Sequence, residues 1–281
     1  MAKISIKENE LKGIISEAIQ SNLDEGIEFD PSTRTVSYNP SNDDIVDTSI
    51  DNNPTMDGSI VPGIEVWSIF KRKRGAKGSG DGNPLVYALK GEGWTFRSEA
   101  DKEAIEQQFS KIASKFAAMY RVGITVLMPS GNELNNRIAN VILSKSPNAE
   151  LIEGAICKLT TEEVDDIVLR FDSKFREAYK DDFNTAYWEL KGYLELMNDE
   201  REGYFSRHMI KNGKMRDILD FTFKVSPDRF AKYANKINGQ NILILDDTIS
   251  RGQSIREACR VIQDSYAPKS ITVLTLLSRA Y

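Results

Sequence analysis

The segment from residue 241 to residue 277 constrains the fold more than any other part of the chain. Residues 241–245 form an apolar run, and a polar loop containing Gly252 separates it from a helical pattern at about 255–265. A second apolar run follows at 270–277. Two apolar strands joined by a helix are typical of a βαβ unit, whose strands pair in parallel and are buried on both faces. The segment therefore predicts an α/β fold with a mostly parallel sheet.

A second strand–helix unit precedes this segment. Residues 124–128 predict a strand that ends at Pro129, and apolar positions at helical spacing over 134–143 predict the helix behind it. Periodicity and turn residues predict four further elements, namely helices over 8–24 and 99–120, a hairpin over 27–40 and a strand over 64–70.

Changes in composition suggest how the chain is divided. Glycines cluster over 75–83, which predicts a boundary between an N-terminal α+β appendage at 1–83 and a larger domain at 84–281. Within the appendage, residues 40–63 are rich in Asp, Asn, Ser and Pro and predict a mobile acidic loop. Residues 160–202 are helical in composition and predict an insertion into the larger domain.

The ends of the insertion have their own signals. Thr160 and Glu163 have the spacing of a helix capping box. The aromatic and leucine stripe that follows is more typical of helix packing than of a ligand site. Residues 203–217 come next, and their basic and glycine residues predict a mobile basic loop.

Composition excludes several classes of protein. The chain has 281 residues and a net charge of −5, which argues against general nucleic-acid binding. Its two cysteines and one histidine cannot supply a zinc finger or a histidine-rich metal site. No apolar run approaches the roughly 18 residues of a membrane helix. The sequence therefore predicts a cytoplasmic protein without a membrane partner. The basic tract at 71–77 fits either a solvated turn, which is favoured, or a phosphate or nucleic-acid patch.

The loop at 246–254 carries the chemistry. Asp246 and Asp247 end the strand, and ligands of open α/β sheets bind at the carboxyl ends of strands. A loop that opens a helix offers unpaired N–H groups and the positive end of the helix dipole, which suits a phosphate. Two adjacent carboxylates can accept hydrogen bonds from vicinal hydroxyls. Although the two acids could simply cap the next helix, the whole pattern favours a site for a ribose 5-phosphate unit.

Residues 242–254, ILILDDTISRGQS, resemble the phosphoribosyl pyrophosphate (PRPP) motif of type I phosphoribosyltransferases. That motif has four apolar residues, two acids, two mostly apolar residues and a loop of two small residues, Gly, any residue and Ser or Thr. Thr248 and Arg251 are the departures. The order of elements over 84–158 and 204–281 is similar to the ComF-like branch. The resemblance implies that 84–281 is a phosphoribosyltransferase-like domain.

The resemblance also implies a role for each loop. Asp246 and Asp247 would be the catalytic pair, binding the ribose hydroxyls directly or through Mg²⁺, with water as a further bridge. The residues implied to bind the 5′-phosphate are Thr248, Ser250, Arg251, Gly252, Gln253 and Ser254. The implied pyrophosphate loop consists of Pro129, Ser130, Gly131 and Asn132. A flexible lid would contribute Arg207, Lys211, Lys214 and Arg216.

These roles imply transfer of the phosphoribosyl group, with Mg²⁺, from PRPP to an unidentified small nitrogenous acceptor. Ser250 stands where 6-oxopurine transferases carry an aspartate, which disfavours that subclass. The first 83 residues lack cysteine, so the zinc element of ComF-like proteins is not expected. A homodimer is expected only by analogy with the fold.

Two other interpretations stay open. One is a catalytically inactive protein that binds PRPP or a nucleotide, or serves DNA metabolism, through partners. The other is an interaction protein that docks through 1–83 and 160–202. The intact acidic pair and loop favour the transferase and the inactive binding protein over the interaction protein.

Overall fold

The computed structural model describes residues 26–40, 45–73, 83–129, 133–170, 172–249 and 251–279. They form an α/β fold around a mixed, mostly parallel ten-stranded sheet, as the βαβ pattern predicted. The predicted helix at 8–24 lies outside the described residues. In the described part of the chain, no helix is both long enough and apolar enough to cross a bilayer.

The strands are β1 (Gly26–Asp30), β2 (Thr35–Asn39), β3 (Val46–Asp47), β4 (Thr55–Met56), β5 (Glu65–Arg72), β6 (Thr95–Phe96), β7 (Ile124–Leu127), β8 (Glu150–Ile152), β9 (Cys157–Lys158), β10 (Phe223–Lys224), β11 (Asn241–Thr248) and β12 (Ser270–Leu277). The helices are α1 (Pro84–Lys90), α2 (Glu99–Met119), α3 (Leu134–Lys145), α4 (Thr161–Arg170), α5 (Ser173–Tyr179), α6 (Phe183–Glu200), α7 (Gly213–Ile218), α8 (Pro227–Ile237) and α9 (Gln253–Ser265). Short 3₁₀ turns occur at Lys180–Asp182 and Arg207–Met209. The predicted strands at 64–70, 124–128, 241–245 and 270–277 and the predicted helices at 99–120, 134–143 and 255–265 are confirmed to within a few residues.

The parallel half of the sheet has the order β5-β12-β11-β7-β8. Strand β11 lies between β7 and β12, and its residues Ile242, Leu243, Ile244 and Leu245 are all buried. A parallel strand covered on both faces needs such an uninterrupted apolar run. Because the strands are parallel, the loops after β7 and β11 leave the same edge of the sheet.

The antiparallel half begins with the predicted hairpin, which is confirmed. Strands β1 and β2 pair in antiparallel register, and the Asp30 carboxylate accepts the Ser32 N–H at 2.9 Å within the turn. The half continues through β3 to β5, which pairs in parallel with β12. The Ser68 and Thr275 hydroxyls share a buried hydrogen bond of 2.9 Å across those two strands. The described part of the predicted appendage therefore belongs to the same sheet as the larger domain.

Residues 45–63 of the predicted mobile acidic loop contain β3 and β4 and a buried carboxylate. Asp47 is only 1% exposed. It accepts the Ser49 N–H at 2.9 Å, the Ser49 hydroxyl at 2.6 Å and the Asn52 amide at 2.9 Å. Composition predicted a mobile loop here. Instead, the Asp and Asn side chains satisfy one another's hydrogen-bonding groups inside a folded turn.

Two apolar layers cover the two faces of the sheet. Helices α1, α2 and α3 pack on one face through buried residues such as Leu85, Phe116 and Ile138. Helices α8 and α9 pack on the other face through residues such as Ile237 and Cys259. Burial raises the pKa of the Cys259 thiol to about 12. The loops after β7 and β11 project from the edge between these layers.

A third apolar cluster belongs to the predicted insertion. The capping box is confirmed, because the Glu163 carboxylate accepts the Thr160 N–H at 2.9 Å and the Thr160 hydroxyl accepts the Glu163 N–H at 3.2 Å. Helices α4, α5 and α6 share this cluster with Ile210 and Met215, which are fully buried. The predicted basic loop at 203–217 is therefore packed against the insertion through its own turn and through α7.

We predict that a fragment of residues 84–281 does not fold cooperatively. It lacks β5, so the apolar strand β12 would become an unprotected sheet edge. Thermal and urea unfolding of the fragment should show no cooperative transition, whereas co-expression with residues 1–83 should restore one. A cooperative transition of the fragment alone would contradict this expectation.

Candidate functional site

A cavity of about 380 Å³ lies at the carboxyl end of β11. The residues of the predicted PRPP motif that line it are Asp246, Thr248, Arg251, Gly252, Gln253 and Ser254. Pro129 from the predicted pyrophosphate loop, and Arg207 and Arg216 from the predicted lid, line the same cavity. The structure thus brings together members of three sets that are far apart in the sequence. Ser250 and residues 130–132 lie outside the described residues.

The other two predicted lid lysines lie elsewhere. The Lys214 ammonium donates to the Ala178 carbonyl at 2.7 Å and lies 4.3 Å from the centre of the Tyr179 ring. Lys211 is exposed, and it does not line the cavity. Lys214 contacts the predicted insertion because α7, which carries it, packs on the helices of the insertion.

Arg207 contacts the loop predicted to bind the 5′-phosphate. Its guanidinium donates to the Gln253 side-chain oxygen at 2.6 Å and to the Arg216 carbonyl at 2.8 Å. Burial lowers the pKa of Arg207, although the charge of Glu257 opposes that change. Arg207 therefore joins the segment after the insertion to the first residue of α9.

Lys158 is a site residue that the sequence analysis missed. It lies in the two-residue strand β9, opposite Phe223 of β10, and it lines both this cavity and an adjoining one of about 610 Å³. Burial lowers the pKa of Lys158, and the positive charge of Arg201 lowers it further. A strand this short has no periodicity, so no signal in the sequence distinguishes Lys158 from other surface lysines.

The two aspartates at the end of β11 have different surroundings. Asp247 is buried and forms an ion pair with Lys90, with a distance of 2.5 Å between Nζ and Oδ2. Asp246 faces the cavity, and its Oδ1 accepts the Asp247 N–H at 2.9 Å. Burial and the neighbouring negative charge of Asp247 raise the pKa of Asp246 to about 8, while Lys90 and an Asn135 hydrogen bond oppose the rise. Asp246 therefore ionises less readily than a solvated carboxyl group.

The loop predicted to bind the 5′-phosphate, called the phosphate loop after that prediction and described at residues 248–249 and 251–254, is supported from behind by the N-terminal part of the chain. Gly252 has a φ of 71°, and a Cβ atom placed on it would lie 2.5 Å from Cγ2 of Ile60. The Arg256 guanidinium donates to the Ile60 carbonyl at 3.1 Å. Arg72 donates to the Ile249 carbonyl at 3.1 Å. Only glycine combines this backbone conformation with so close an approach.

Arg72 is also part of the basic tract at 71–77. The sequence left two interpretations of that tract open, a solvated turn, which is favoured, and a phosphate or nucleic-acid patch. The side chain of Arg72 is buried and directed toward the phosphate loop, so it belongs to the support of that loop. Residues 74–77 lie outside the described residues, and the interpretation of the tract stays a prediction.

The residues present fit a magnesium ion that is bound together with a substrate. Asp246 supplies a hard oxygen ligand at the cavity, and the neighbouring Asp247 carboxylate is paired with Lys90. Within the described ranges, no group of three or more His, Cys, Asp or Glu residues could hold a metal ion. Mg²⁺ in phosphoryl sites is commonly bound by one or two carboxylates, with substrate phosphates and waters completing the shell.

In comparisons with known proteins, no family model, no curated protein and no solved structure matches this chain.

We predict that Gly252→Ala lowers the free energy of unfolding by about 1–3 kcal/mol, because it adds left-handed strain to a clash with Ile60. Gly239→Ala is the matched control, since its φ is 74° and its Cβ would meet nothing within 4 Å. Urea unfolding should show a larger loss at Gly252, which Ile60→Ala partly reverses in the double variant. Equal losses at the two glycines would contradict the close approach.

We also predict that Asp246→Asn flattens the pH dependence of stability. The pKa of Asp246 is about 8 in the folded chain and about 3.9 when unfolded, so its ionisation favours the unfolded state. Wild-type stability should therefore fall, relative to the variant, as pH rises from about 4 to about 8, by at most about 1.4 kcal/mol per pH unit. Urea unfolding across this range measures the difference, and parallel profiles would contradict it.

Proposed function

We propose that this protein is a type I phosphoribosyltransferase of the ComF-like kind, which binds PRPP with Mg²⁺ at the carboxyl end of β11. In this proposal it transfers the phosphoribosyl group to a small nitrogenous acceptor and releases pyrophosphate. The observation that carries the proposal is that one cavity is lined by Asp246, by the loop at 251–254 and by Arg207 and Arg216.

The 5′-phosphate would lie on the loop that opens α9. The first N–H groups of this thirteen-residue helix point toward the loop. Arg207, Arg216 and Arg251 add positive charge around the same cavity. This arrangement supports a dianionic group, since both backbone donors and cations converge on it.

The ribose would lie over Asp246. This residue faces the cavity at the end of a buried strand, so its carboxylate can accept hydrogen bonds from vicinal hydroxyls, while Asp247 beside it is paired with Lys90. The hydrogen bond from the Asp247 N–H orients Asp246, and Lys90 orients Asp247. Residues held in this way bind a diol in one orientation, which positions the anomeric carbon for reaction.

The reaction would displace pyrophosphate from the anomeric carbon as the acceptor nitrogen forms its bond there. Negative charge would build up on the leaving group, and Lys158 lies between the two cavities where it can offset that charge. When bound, Mg²⁺ would neutralise further charge on the pyrophosphate oxygens. The adjoining cavity shares Pro129 with the first and gives room beside the ribose for a departing or attacking group.

One observation favours the second candidate, an inactive protein that binds PRPP or a nucleotide. The segment expected to act as a flexible lid is anchored, because Ile210 and Met215 are fully buried against the insertion. An anchored lid opposes the closure that protects such a transition state from water. Pyrophosphate release during a screen of nitrogenous acceptors distinguishes the transferase from this candidate.

Calorimetric titration of PRPP with Mg²⁺ tests binding. We expect the wild type to bind and Asp246→Asn/Asp247→Asn to lose several kcal/mol of affinity, since hydrogen bonds to charged groups contribute about 1.5–3 kcal/mol each. Asp181→Asn/Asp182→Asn is the matched control, because these two adjacent aspartates are exposed in the turn at Lys180–Asp182. Failure of the wild type to bind, or equal binding by both double variants, would contradict the proposal.

A further inference from the structure

Helix α1 fixes the position of Lys90. The Asn83 side chain caps its N-terminus by accepting the Leu85 N–H at 2.9 Å. Gly91 ends the helix in the left-handed conformation with a φ of 72°. Leu85 and Val86 are buried in the core under the sheet. The last residue of this short helix is therefore held rigidly beside the carboxyl end of β11.

The ion pair formed there is well shielded from water. The side chains of Lys90 and Asp247 are only 13% and 12% exposed, and their charged atoms lie 2.5 Å apart. An ion pair in such surroundings is screened much less than one at the surface. The Asp247 carboxylate is thus already bound to a cation that the chain itself supplies.

This cation bears directly on metal binding. A divalent ion next to Asp247 would lie within a few ångströms of the Lys90 ammonium and would be repelled by it. The companion carboxylate is also engaged, since Asp246 accepts the Asp247 N–H at 2.9 Å. A neutral hydroxyl meets no such repulsion and can still donate to the Asp246 carboxyl group, which faces the cavity.

We propose that Lys90 is the resident counter-cation of the aspartate pair: its ammonium group keeps free divalent ions away from the Asp247 carboxylate and leaves Asp246 to accept hydrogen bonds from a ligand's hydroxyls. Lys90 is accordingly a specificity-determining residue that acts through Asp247. A metal ion then binds only together with a phosphorylated ligand, whose oxygens complete the coordination shell of the ion and add negative charge. The consequence for PRPP rests on the function proposed above, whereas the effect on free metal ions does not.

The test is titration of Mn²⁺ alone, followed by electron paramagnetic resonance of the free ion. We expect wild type to bind Mn²⁺ weakly and Lys90→Met to bind it at least tenfold more tightly. Lys90→Arg keeps the positive charge and should behave as wild type. Adding Asp247→Asn to Lys90→Met should abolish the gain. Lys115→Met is the matched control, because the Lys115 ammonium donates to the Ile50 and Asn53 carbonyls and pairs with neither aspartate.

Lys90→Met is expected to lose stability, because it leaves a buried carboxylate without its cation. The thermal midpoint is therefore measured as a second readout. Mn²⁺ should raise the thermal midpoint of that variant more than it raises the wild-type midpoint. The inference is wrong if Lys90→Met binds Mn²⁺ no more tightly than wild type, or if Lys90→Arg gains affinity as Lys90→Met does. Since the titration contains no PRPP, a failure of PRPP binding and a failure of this inference are separate results.

Discussion

The parallel pairing of β11 with both β7 and β12 is the constraint on which the rest of the structure depends. It requires an apolar strand that is covered on both faces, and it directs the loops after β7 and β11 to one edge. Residues 246–254 can meet Pro129 only because of this pairing. The cavity at the end of β11 follows from the topology of the sheet before any side chain is considered.

The support for the phosphate loop extends this constraint to the N-terminal strands. Strand β5 joins the sheet beside β12, and the turn before it places Ile60 against Gly252. Arg72, at the end of β5, holds the Ile249 carbonyl. A boundary predicted from glycine content therefore falls between two segments that build one site together. The core of the sheet and the rear wall of the phosphate loop come from both sides of that boundary.

Electrostatics give the site two distinct carboxylates from two adjacent, chemically identical residues. Asp247 has a buried lysine as its partner, whereas Asp246 faces the cavity with a pKa raised to about 8 by burial and by the charge of its neighbour. Lys158 and Arg207, which line the same cavity, lose water when they are buried and have lowered pKa values. Perturbed pKa values of this kind cluster at functional sites.

The sequence alone determined the local elements. Apolar runs located the buried strands, Asp30 located the hairpin turn, and Thr160 with Glu163 located the start of the insertion, because each signal depends on residues that are close in the chain. Only the tertiary structure decided which distant residues complete the site. Lys158 and the Lys90–Asp247 ion pair come from elements separated by many residues. The spacing of residues along the chain does not indicate that these elements lie close together.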